Sequence, residues 1–141
     1  MSARCGKFVD TNILVYSLDK SMGGKCTTAI ELLDKLVESG DLTLSIQSAR
    51  ELYNVYLKKL AGAGMGQLAE FTTAILSPHI RINESIDMYQ SAAALSATKQ
   101  LSFYDALIVQ AAIDSDCDTL YTEDLQHGQV FSSVTIVNPF K

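Results

Sequence analysis

The chain has 141 residues, a formal net charge of -5 at pH 7 and 48% hydrophobic residues. This length suits one domain over residues 1–141, which can bury a hydrophobic core without covalent cross-links. Three cysteines without metal-ligand or redox spacing argue against a disulfide framework, and no apolar run reaches the ~20 residues that span a bilayer. We therefore expect a soluble, cytoplasmic protein, and the charge excludes tight nonspecific binding to long duplexes through a basic face.

Strand-like and helix-like segments alternate along the chain, which is typical of βα units that build a mostly parallel sheet. Strands are predicted at residues 7–10, 42–45, 80–82, 119–122 and 134–137. Helices are predicted at residues 27–38, 47–60, 67–76, 84–99 and 106–113. The alternation therefore predicts an α/β fold.

The first acidic position of interest lies where a short apolar run ends. Asp10, Thr11 and Asn12 follow the first predicted strand before apolar residues resume. In open α/β sheets the carboxyl ends of the strands border the ligand crevice, so an Asp at this place can act on a ligand. The three residue types are also good helix N-caps, and a capping role is the alternative for Asp10.

The second position is Glu51, about one turn into the predicted helix that follows the second strand. Helical side chains lean toward the helix N-terminus, so this carboxylate is expected to point back toward the carboxyl end of the strand. The alternative is a solvated glutamate that the helix dipole favours near its N-terminus.

The third position is Asp105, which precedes the almost wholly apolar helix predicted at residues 106–113. A charge beside so much buried surface is costly unless it is paired or bound to metal. Helix capping is again the alternative.

The fourth position lies at the carboxyl end of another short strand, where Thr122 is followed by two acids, Glu123 and Asp124. Alternate strand residues face opposite sides of a sheet, so these two acids are not equivalent. The sequence leaves open which of them belongs with the other three positions.

The four segments, in this order, resemble PIN-domain ribonucleases, and specifically the VapC-type toxins of bacterial toxin–antitoxin pairs. The resemblance extends from Phe8 to Pro139 and rests on residues 9–12, 48–52, 102–106 and 120–128. It implies a PIN-like domain with a five-stranded, mostly parallel sheet, helices on both faces of the sheet, and a homodimer. It also implies a Mg²⁺- or Mn²⁺-dependent endoribonuclease with an RNA substrate and a small antitoxin protein as partner.

The resemblance also matches individual residues to roles. It assigns the catalytic, metal-binding acids to Asp10, Glu51, Asp105 and Asp124. The expected supporting residues are Thr11, Asn12, Ser102 and Thr122, with Glu123 as an extra acid that competes for the fourth ligand position. Crowded carboxylates raise one another's pKa unless a cation neutralises them, and hard oxygen ligands suit one or two Mg²⁺ or Mn²⁺ ions.

Two alternatives share the same fold. In the first alternative the chain is a non-catalytic interaction module whose acids serve only as caps. In the second it is a housekeeping RNA-processing nuclease. A metal-binding titration separates the first alternative from the enzymes. Candidate phosphate contacts, each also compatible with a solvated surface charge, are Arg50, Lys58, Lys59 and Lys99.

Overall fold

The structure, a computed structural model, describes residues 5–141. The strands are β1 Gly6–Val9, β2 Leu42–Ser45, β3 Ile80–Ile82, β4 Cys117–Tyr121, β5 Val130–Phe131 and β6 Val134–Val137. The helices are α1 Thr11–Leu18, α2 Gly24–Ser39, α3 Ile46–Val55, α4 Met65–Phe71, the short α5 Ser77–His79, α6 Ile86–Lys99 and α7 Phe103–Asp114. None of the helices in the described part of the chain combines the length and the apolar character needed to cross a membrane.

The strands form one sheet in the order β3-β2-β1-β4-β6-β5. Neighbours from β3 to β6 pair in parallel, and β5 pairs antiparallel with β6. Because β1 lies between β2 and β4, the carboxyl ends of these three parallel strands meet at one edge of the sheet. This edge carries the acidic segments. The predicted α/β fold with a mostly parallel sheet is confirmed.

The described chain has one strand more than the five that the resemblance implies. The additional strand, β5, has two residues and folds back on β6, with Val130 opposite Thr135 and Phe131 opposite Val134. The connecting turn contains Ser132 with a φ of 55°. A two-residue strand is too short for an alternating pattern to reveal, and two serines are not the Asn-Gly or Asp-Gly turn that marks a hairpin in sequence.

Apolar side chains fill both faces of the sheet, as alternation along buried parallel strands requires. On one face, Phe8, Leu120 and Ile136 belong to a core that includes buried residues of α6 and α7. On the other face, Val9 and Leu44 belong to a core shared with α1, α2 and α3. The prediction of helices on both faces is therefore confirmed.

The predicted helices are present, but their ends differ. Residues 47–60 were expected to form one helix, whereas α3 ends at Val55 and widens into a π-helical turn at Tyr56–Leu60. The side chain of Tyr56 is fully buried there, and its hydroxyl lies 2.8 Å from the carbonyl oxygen of Gly64. The sequence analysis did not assign α1, because the run of residues 11–18 is apolar on most sides and lacks a helical period.

Candidate metal centre

Asp10 follows β1 and is both a helix cap and a member of the acidic edge. One carboxylate oxygen accepts the backbone N–H of Thr11 at 2.7 Å, which caps α1. The other accepts the hydroxyl of Thr122 at 2.8 Å. The backbone N–H of Asp10 bonds the carbonyl oxygen of Tyr121 at 2.9 Å, which ties the end of β1 to the end of β4. The capping alternative and the site hypothesis are thus compatible.

Burial gives the Asp10 carboxylate unusual electrostatics. The residue is only 9% exposed. Desolvation raises its pKa from 3.8 to about 7, Asp124 and Glu51 add to the rise, and the hydrogen bonds from Thr122 and Thr11 oppose it. Both hydrogen-bond donors are neutral, so they hold the carboxylate in place without offsetting its charge.

Glu51 is held at the same edge by two side chains from different elements. The hydroxyl of Thr11 donates to Glu51 Oε2 at 3.0 Å, and the amide Nε2 of Gln47 donates to Oε1 at 2.9 Å. Gln47 is fully buried in the first turn of α3, which begins at the cap residue Ser45. Thr11 therefore connects the two acids, since its N–H bonds Asp10 and its hydroxyl bonds Glu51.

Asp124 lies just beyond β4 and is held from both sides. Asn12 Nδ2 donates to Asp124 Oδ2 at 2.8 Å, and the N–H of Asp124 donates to the hydroxyl oxygen of Thr122 at 3.1 Å. Burial raises the pKa of Asp124, and the nearby carboxylates of Asp105 and Glu123 raise it further. Thr122 thus bridges Asp10 and Asp124.

Asp105 belongs to the first turn of α7, and its carboxylate is partly buried. The hydroxyl oxygen of Ser102 accepts the backbone N–H of Asp105 at 3.1 Å and caps the helix. The cap on α7 is therefore Ser102 and not Asp105, which leaves the Asp105 carboxylate available for the cleft. The charge of the Asp105 carboxylate contributes to the raised pKa of Asp124.

Glu123 and Asp124, which both lie beyond the end of β4, make different contacts. Glu123 accepts hydrogen bonds from the hydroxyl of Tyr16 and from Lys25 Nζ, the latter at 2.7 Å. Burial alone raises the pKa of Glu123, but these two donors outweigh it and lower the pKa. Glu123 is thus paired with a lysine, whereas the Asp124 side chain accepts a hydrogen bond from the neutral amide of Asn12.

The sequence analysis missed the residues that engage Glu123. Lys25 Nζ lies 5.0 Å from the centre of the Tyr16 ring and 5.3 Å from that of Phe140, and these two rings are in edge-to-face contact at 5.6 Å. The partners come from α1, α2, the end of β4 and the C-terminal segment. A contact between residues about a hundred positions apart leaves no local pattern, so no motif could have revealed it.

One of the four candidate phosphate contacts, Arg50, has a carboxylate partner in the folded chain. Arg50 forms an ion pair with Glu84, with nitrogen–oxygen distances of 2.9 and 2.8 Å. Burial alone raises the pKa of the Glu84 carboxylate, but the hydrogen bond from Arg50 is stronger and lowers it. The Arg50 guanidinium is therefore already paired with a carboxylate, one residue before Glu51.

The donor set suits a divalent cation. The four carboxylates supply hard oxygen ligands of the kind that Mg²⁺ and Mn²⁺ prefer. A cation would also offset the buried charge of Asp10, which the neutral donors around it do not. Within residues 5–141, no three His, Cys, Asp or Glu side chains are grouped closely enough to hold one ion by themselves. An ion at this edge would be held by one or two of the carboxylates, with water as its remaining ligands, as is usual for magnesium.

Comparisons with known proteins agree with this architecture. A toxin–antitoxin complex from Klebsiella pneumoniae is similar at 22% identity with a TM-score of 0.66, over 96% of this chain and 99% of that chain. FitAcB from Neisseria gonorrhoeae is similar at 22% identity with a TM-score of 0.67, over 94% and 97%. VapBC2 from Rickettsia felis, bound to a DNA fragment from their promoter, is similar at 22% identity with a TM-score of 0.58, over 92% and 96%.

At this level of identity the three structures show a common fold. No curated protein shows significant similarity to the chain. The PIN domain family model matches residues 7–131, which is most of the chain. The chain therefore belongs to the PIN domain family.

Proposed function

We propose that the chain is a Mg²⁺- or Mn²⁺-dependent endoribonuclease and the toxin component of a type II toxin–antitoxin pair. The observation that carries the proposal is the set of hydrogen bonds through Thr11 and Thr122 that brings Asp10, Glu51 and Asp124 to one edge of the sheet, where α7 begins with Asp105 in its first turn. Crowded carboxylates at this position are unfavourable unless a cation joins them. Members of the PIN domain family are in general nucleases, which supports the same reaction.

Each acid has a proposed part in hydrolysis of an RNA phosphodiester bond. Asp10 and Asp105 are the primary metal ligands, while Glu51 and Asp124 complete the site or orient water. The bound cation would lower the pKa of a water ligand and stabilise the negative charge that develops on the scissile phosphate. The protein's own work is orientation, since preset geometry lowers the barrier without new contacts during the reaction.

The supporting residues hold the acids in that geometry. The hydroxyl of Thr122 bonds Asp10 and accepts the N–H of Asp124, and the side chain of Asn12 bonds Asp124. The hydroxyl of Thr11 bonds Glu51. Ser102 acts on the backbone of Asp105 by capping α7. Such outer contacts orient ligands and commonly change metal affinity or activity when removed.

The proposed partners are a small antitoxin, a second copy of the chain and an RNA substrate, in the cytoplasm. One of the structures with the same fold is a toxin–antitoxin complex, and its similarity covers nearly the full length of both chains. An antitoxin that places an Arg among the carboxylates would neutralise them in the way a metal ion does. This mode of inhibition predicts competition between the antitoxin and the metal.

The first test is cleavage of a single-stranded or looped RNA by the purified chain with Mg²⁺, with Mn²⁺ and with excess EDTA. Cleavage is expected with either metal and not with EDTA. Cleavage that continues undiminished after exhaustive chelation would contradict the metal-dependent reaction. A chain that binds Mg²⁺ with calorimetric heat yet cleaves no RNA would contradict the nuclease and favour an interaction module.

A second test separates a toxin from a housekeeping nuclease. Controlled expression of the chain in a bacterial host is expected to stop growth, and the Asp10→Asn variant is expected not to. Co-expression of a short reading frame adjacent to the gene is expected to restore growth. Growth that proceeds unchanged although extracts cleave RNA would assign the activity to RNA processing.

A further inference from the structure

Three aromatic side chains form a continuous row beside the acidic edge, and we refer to Tyr89, Phe103 and Tyr104 as the aromatic row. The rings of Tyr89 and Phe103 make an edge-to-face contact with centres 5.8 Å apart. The rings of Phe103 and Tyr104 make a second contact of this kind at 6.0 Å. The row thus joins the first turns of α6 and α7.

The aromatic row is open to solvent. Tyr104 is 67% exposed and Phe103 is 37% exposed, and the neighbouring Ile86 in the first turn of α6 is 77% exposed. Single exposed apolar residues are common, but contiguous apolar surface is costly in water and marks places where another molecule binds. The aromatic row therefore has the character of a binding surface.

The aromatic row adjoins one of the proposed metal ligands. Phe103 and Tyr104 are the first two residues of α7, and Asp105 is the third. The hydrogen bond from the Asp105 N–H to the Ser102 hydroxyl oxygen fixes this turn. A group that packs on the rings of Phe103 and Tyr104 therefore lies next to the turn that carries Asp105.

Charge near the cleft favours an uncharged contact with an RNA substrate. The acids at the edge repel a phosphate backbone, and two nearby cations already have carboxylate partners: Arg50 pairs with Glu84 and Lys25 pairs with Glu123. The hydroxyl of Tyr89 also donates to Glu84, so the row ends at a neutralised ion pair. Aromatic faces supply affinity for a base without adding charge.

We infer that the aromatic row is a stacking surface for an unpaired nucleobase of the RNA, next to the phosphate that lies at the acidic edge. The inference rests on the proposed ribonuclease function and names the surface that holds an unpaired base of its single-stranded substrate. Proteins that recognise single-stranded RNA commonly stack its bases on Tyr and Phe rings. Every base has a stacking face, so this surface selects strandedness more than sequence.

The experiment measures binding of a single-stranded oligoribonucleotide that carries one 2-aminopurine, whose fluorescence is quenched by stacking. All proteins carry Asp10→Asn so that the RNA stays intact, and Mg²⁺ is present. Tyr104→Leu keeps apolar bulk but removes the ring, Tyr104→Phe keeps the ring, and Phe103→Leu gives a second measure. The matched control is Tyr53→Leu, because Tyr53 is 37% exposed like Phe103 but bonds Thr72 on another face.

Tyr104→Leu is expected to weaken RNA binding by about 5- to 150-fold, the range for loss of one stacked base, and to remove the quenching. Tyr104→Phe and Tyr53→Leu are expected to retain both. Unchanged affinity and quenching in Tyr104→Leu and Phe103→Leu would overturn the inference. A change of oligomeric state in Tyr104→Leu, measured by light scattering, with RNA affinity unchanged would also overturn it and assign the row to contact between copies of the chain.

The same assay keeps the inference separate from the function on which it rests. The chain with the native Asp10 is tested for cleavage of the same oligonucleotide with Mg²⁺. Cleavage together with unchanged binding by the ring variants overturns the stacking surface alone. Absence of cleavage by the native chain overturns the proposed ribonuclease and, with it, the inference.

Discussion

Asp10 combines two demands that usually belong to different residues. As an N-cap it must accept an N–H of α1, and as a cleft acid it must present charge at a place where water is scarce. One oxygen meets the first demand through Thr11, and the other is held by the hydroxyl of Thr122. A buried carboxylate with neutral donors is costly as an anion, so the position favours a partner that brings positive charge.

The first prediction concerns the four acids. Asp10→Asn, Glu51→Gln, Asp105→Asn and Asp124→Asn keep side-chain size but remove charge. Each is expected to reduce RNA cleavage by orders of magnitude and to leave the metal-free fold intact, measured by single-turnover cleavage and circular dichroism. Asp87→Asn, an exposed acid in the first turn of α6, is the matched control and should retain activity.

Combination of two of these changes tests whether the acids act as a unit. Residues that serve one site lose activity non-additively, so the double variant Asp10→Asn with Asp105→Asn should be hardly worse than either single variant. If the fold-loss of cleavage in the double variant equals the product of the losses in the two single variants, the two acids act independently.

The second prediction distinguishes the neighbouring acids after β4. Asp124→Asn should abolish cleavage, whereas Glu123→Gln should leave cleavage near the native rate, because Glu123 is already bound by Lys25 and Tyr16. Loss of the partly exposed ion pair should cost at most about 1 kcal/mol of stability. If Glu123→Gln is inactive while Asp124→Asn remains active, the fourth acid is Glu123 and not Asp124.

The third prediction concerns Thr122, whose hydroxyl connects two acids. Thr122→Val keeps the shape but leaves Asp10 without one donor and the Asp124 N–H without its acceptor. We expect at least a tenfold loss of cleavage, weaker Mg²⁺ binding by calorimetry and about 1–3 kcal/mol of lost stability. Thr122→Ser restores the hydroxyl and should recover most of each loss. Equal behaviour of the valine and serine variants would exclude this role.

The sequence could place the acids at strand ends and helix starts because these boundaries are local features, while the catalytic and metal-binding roles of the acids stay predictions. Asp10, Glu51 and Asp105 each stand at such a boundary, and parallel strands bring these boundaries to one edge. Sequence reasoning failed for Lys25 and Phe140, whose role depends on contacts with Glu123 and Tyr16 that only the folded chain creates. It also left the choice between Glu123 and Asp124 open, since that choice depends on the direction of each side chain.

At the scale of the elements, the two helices that each carry a proposed acid begin at serine caps that the sequence analysis did not assign. Ser45 caps α3 and Ser102 caps α7, and each helix presents an acid within its first turns. The ends of α3 and α4 were harder to predict, because both widen into π-helical turns that depend on packing. The hairpin strand β5 was missed because it has only two residues and a Ser-Ser turn.

The fourth prediction concerns the close packing of β1 against β2. A Cβ atom at Gly6 would lie 2.4 Å from Thr43 Oγ1 and 3.2 Å from Cys117 Sγ. Thr43 is buried and its hydroxyl bonds the carbonyl oxygen of Asp41 at 3.2 Å, so it cannot move freely. Gly6→Ala should therefore cost about 1–3 kcal/mol in urea unfolding.

The matched control for that change is Gly62→Ala. Nothing lies within 4 Å of the Cβ position at Gly62, which belongs to the short helical turn Ala61–Ala63. The urea concentration at the midpoint of unfolding should be the same for Gly62→Ala as for the native chain, or slightly higher. Equal stability of Gly6→Ala and the native chain would show that β1 and β2 can separate enough to admit a methyl group.

At the scale of the whole molecule, the parallel sheet gathers charge that the sequence distributes over more than a hundred positions. Without the four proposed acids, the formal net charge would be -1 instead of -5. An acidic protein can bind a phosphate substrate at the acidic edge if divalent cations bind there, because the cations reverse the local sign of charge. The overall charge could be read from composition, but its placement required the strand order.

The last prediction joins pH, metal and stability. In the metal-free protein the pKa of Asp10 is raised to about 7, and that of Asp124 is raised as well. A group whose pKa is raised by folding stabilises the protein fully at pH values below its unfolded pKa of about 4. That contribution is lost as pH rises through the folded pKa. In EDTA, the native chain should therefore lose about 2 kcal/mol of stability between pH 5 and pH 7.

The expected decrease in melting temperature over this range is roughly 4–8 °C by calorimetry. Mg²⁺ at a hundredfold excess over its dissociation constant should restore up to ~2.7 kcal/mol at pH 7 and much less at pH 5, where Asp10 is protonated. Asp10→Asn removes the titrating group, so the melting temperature of this variant should depend less on pH than that of the native chain. A melting temperature that responds to neither pH nor Mg²⁺ would mean that the four carboxylates are not coupled through a shared cation site.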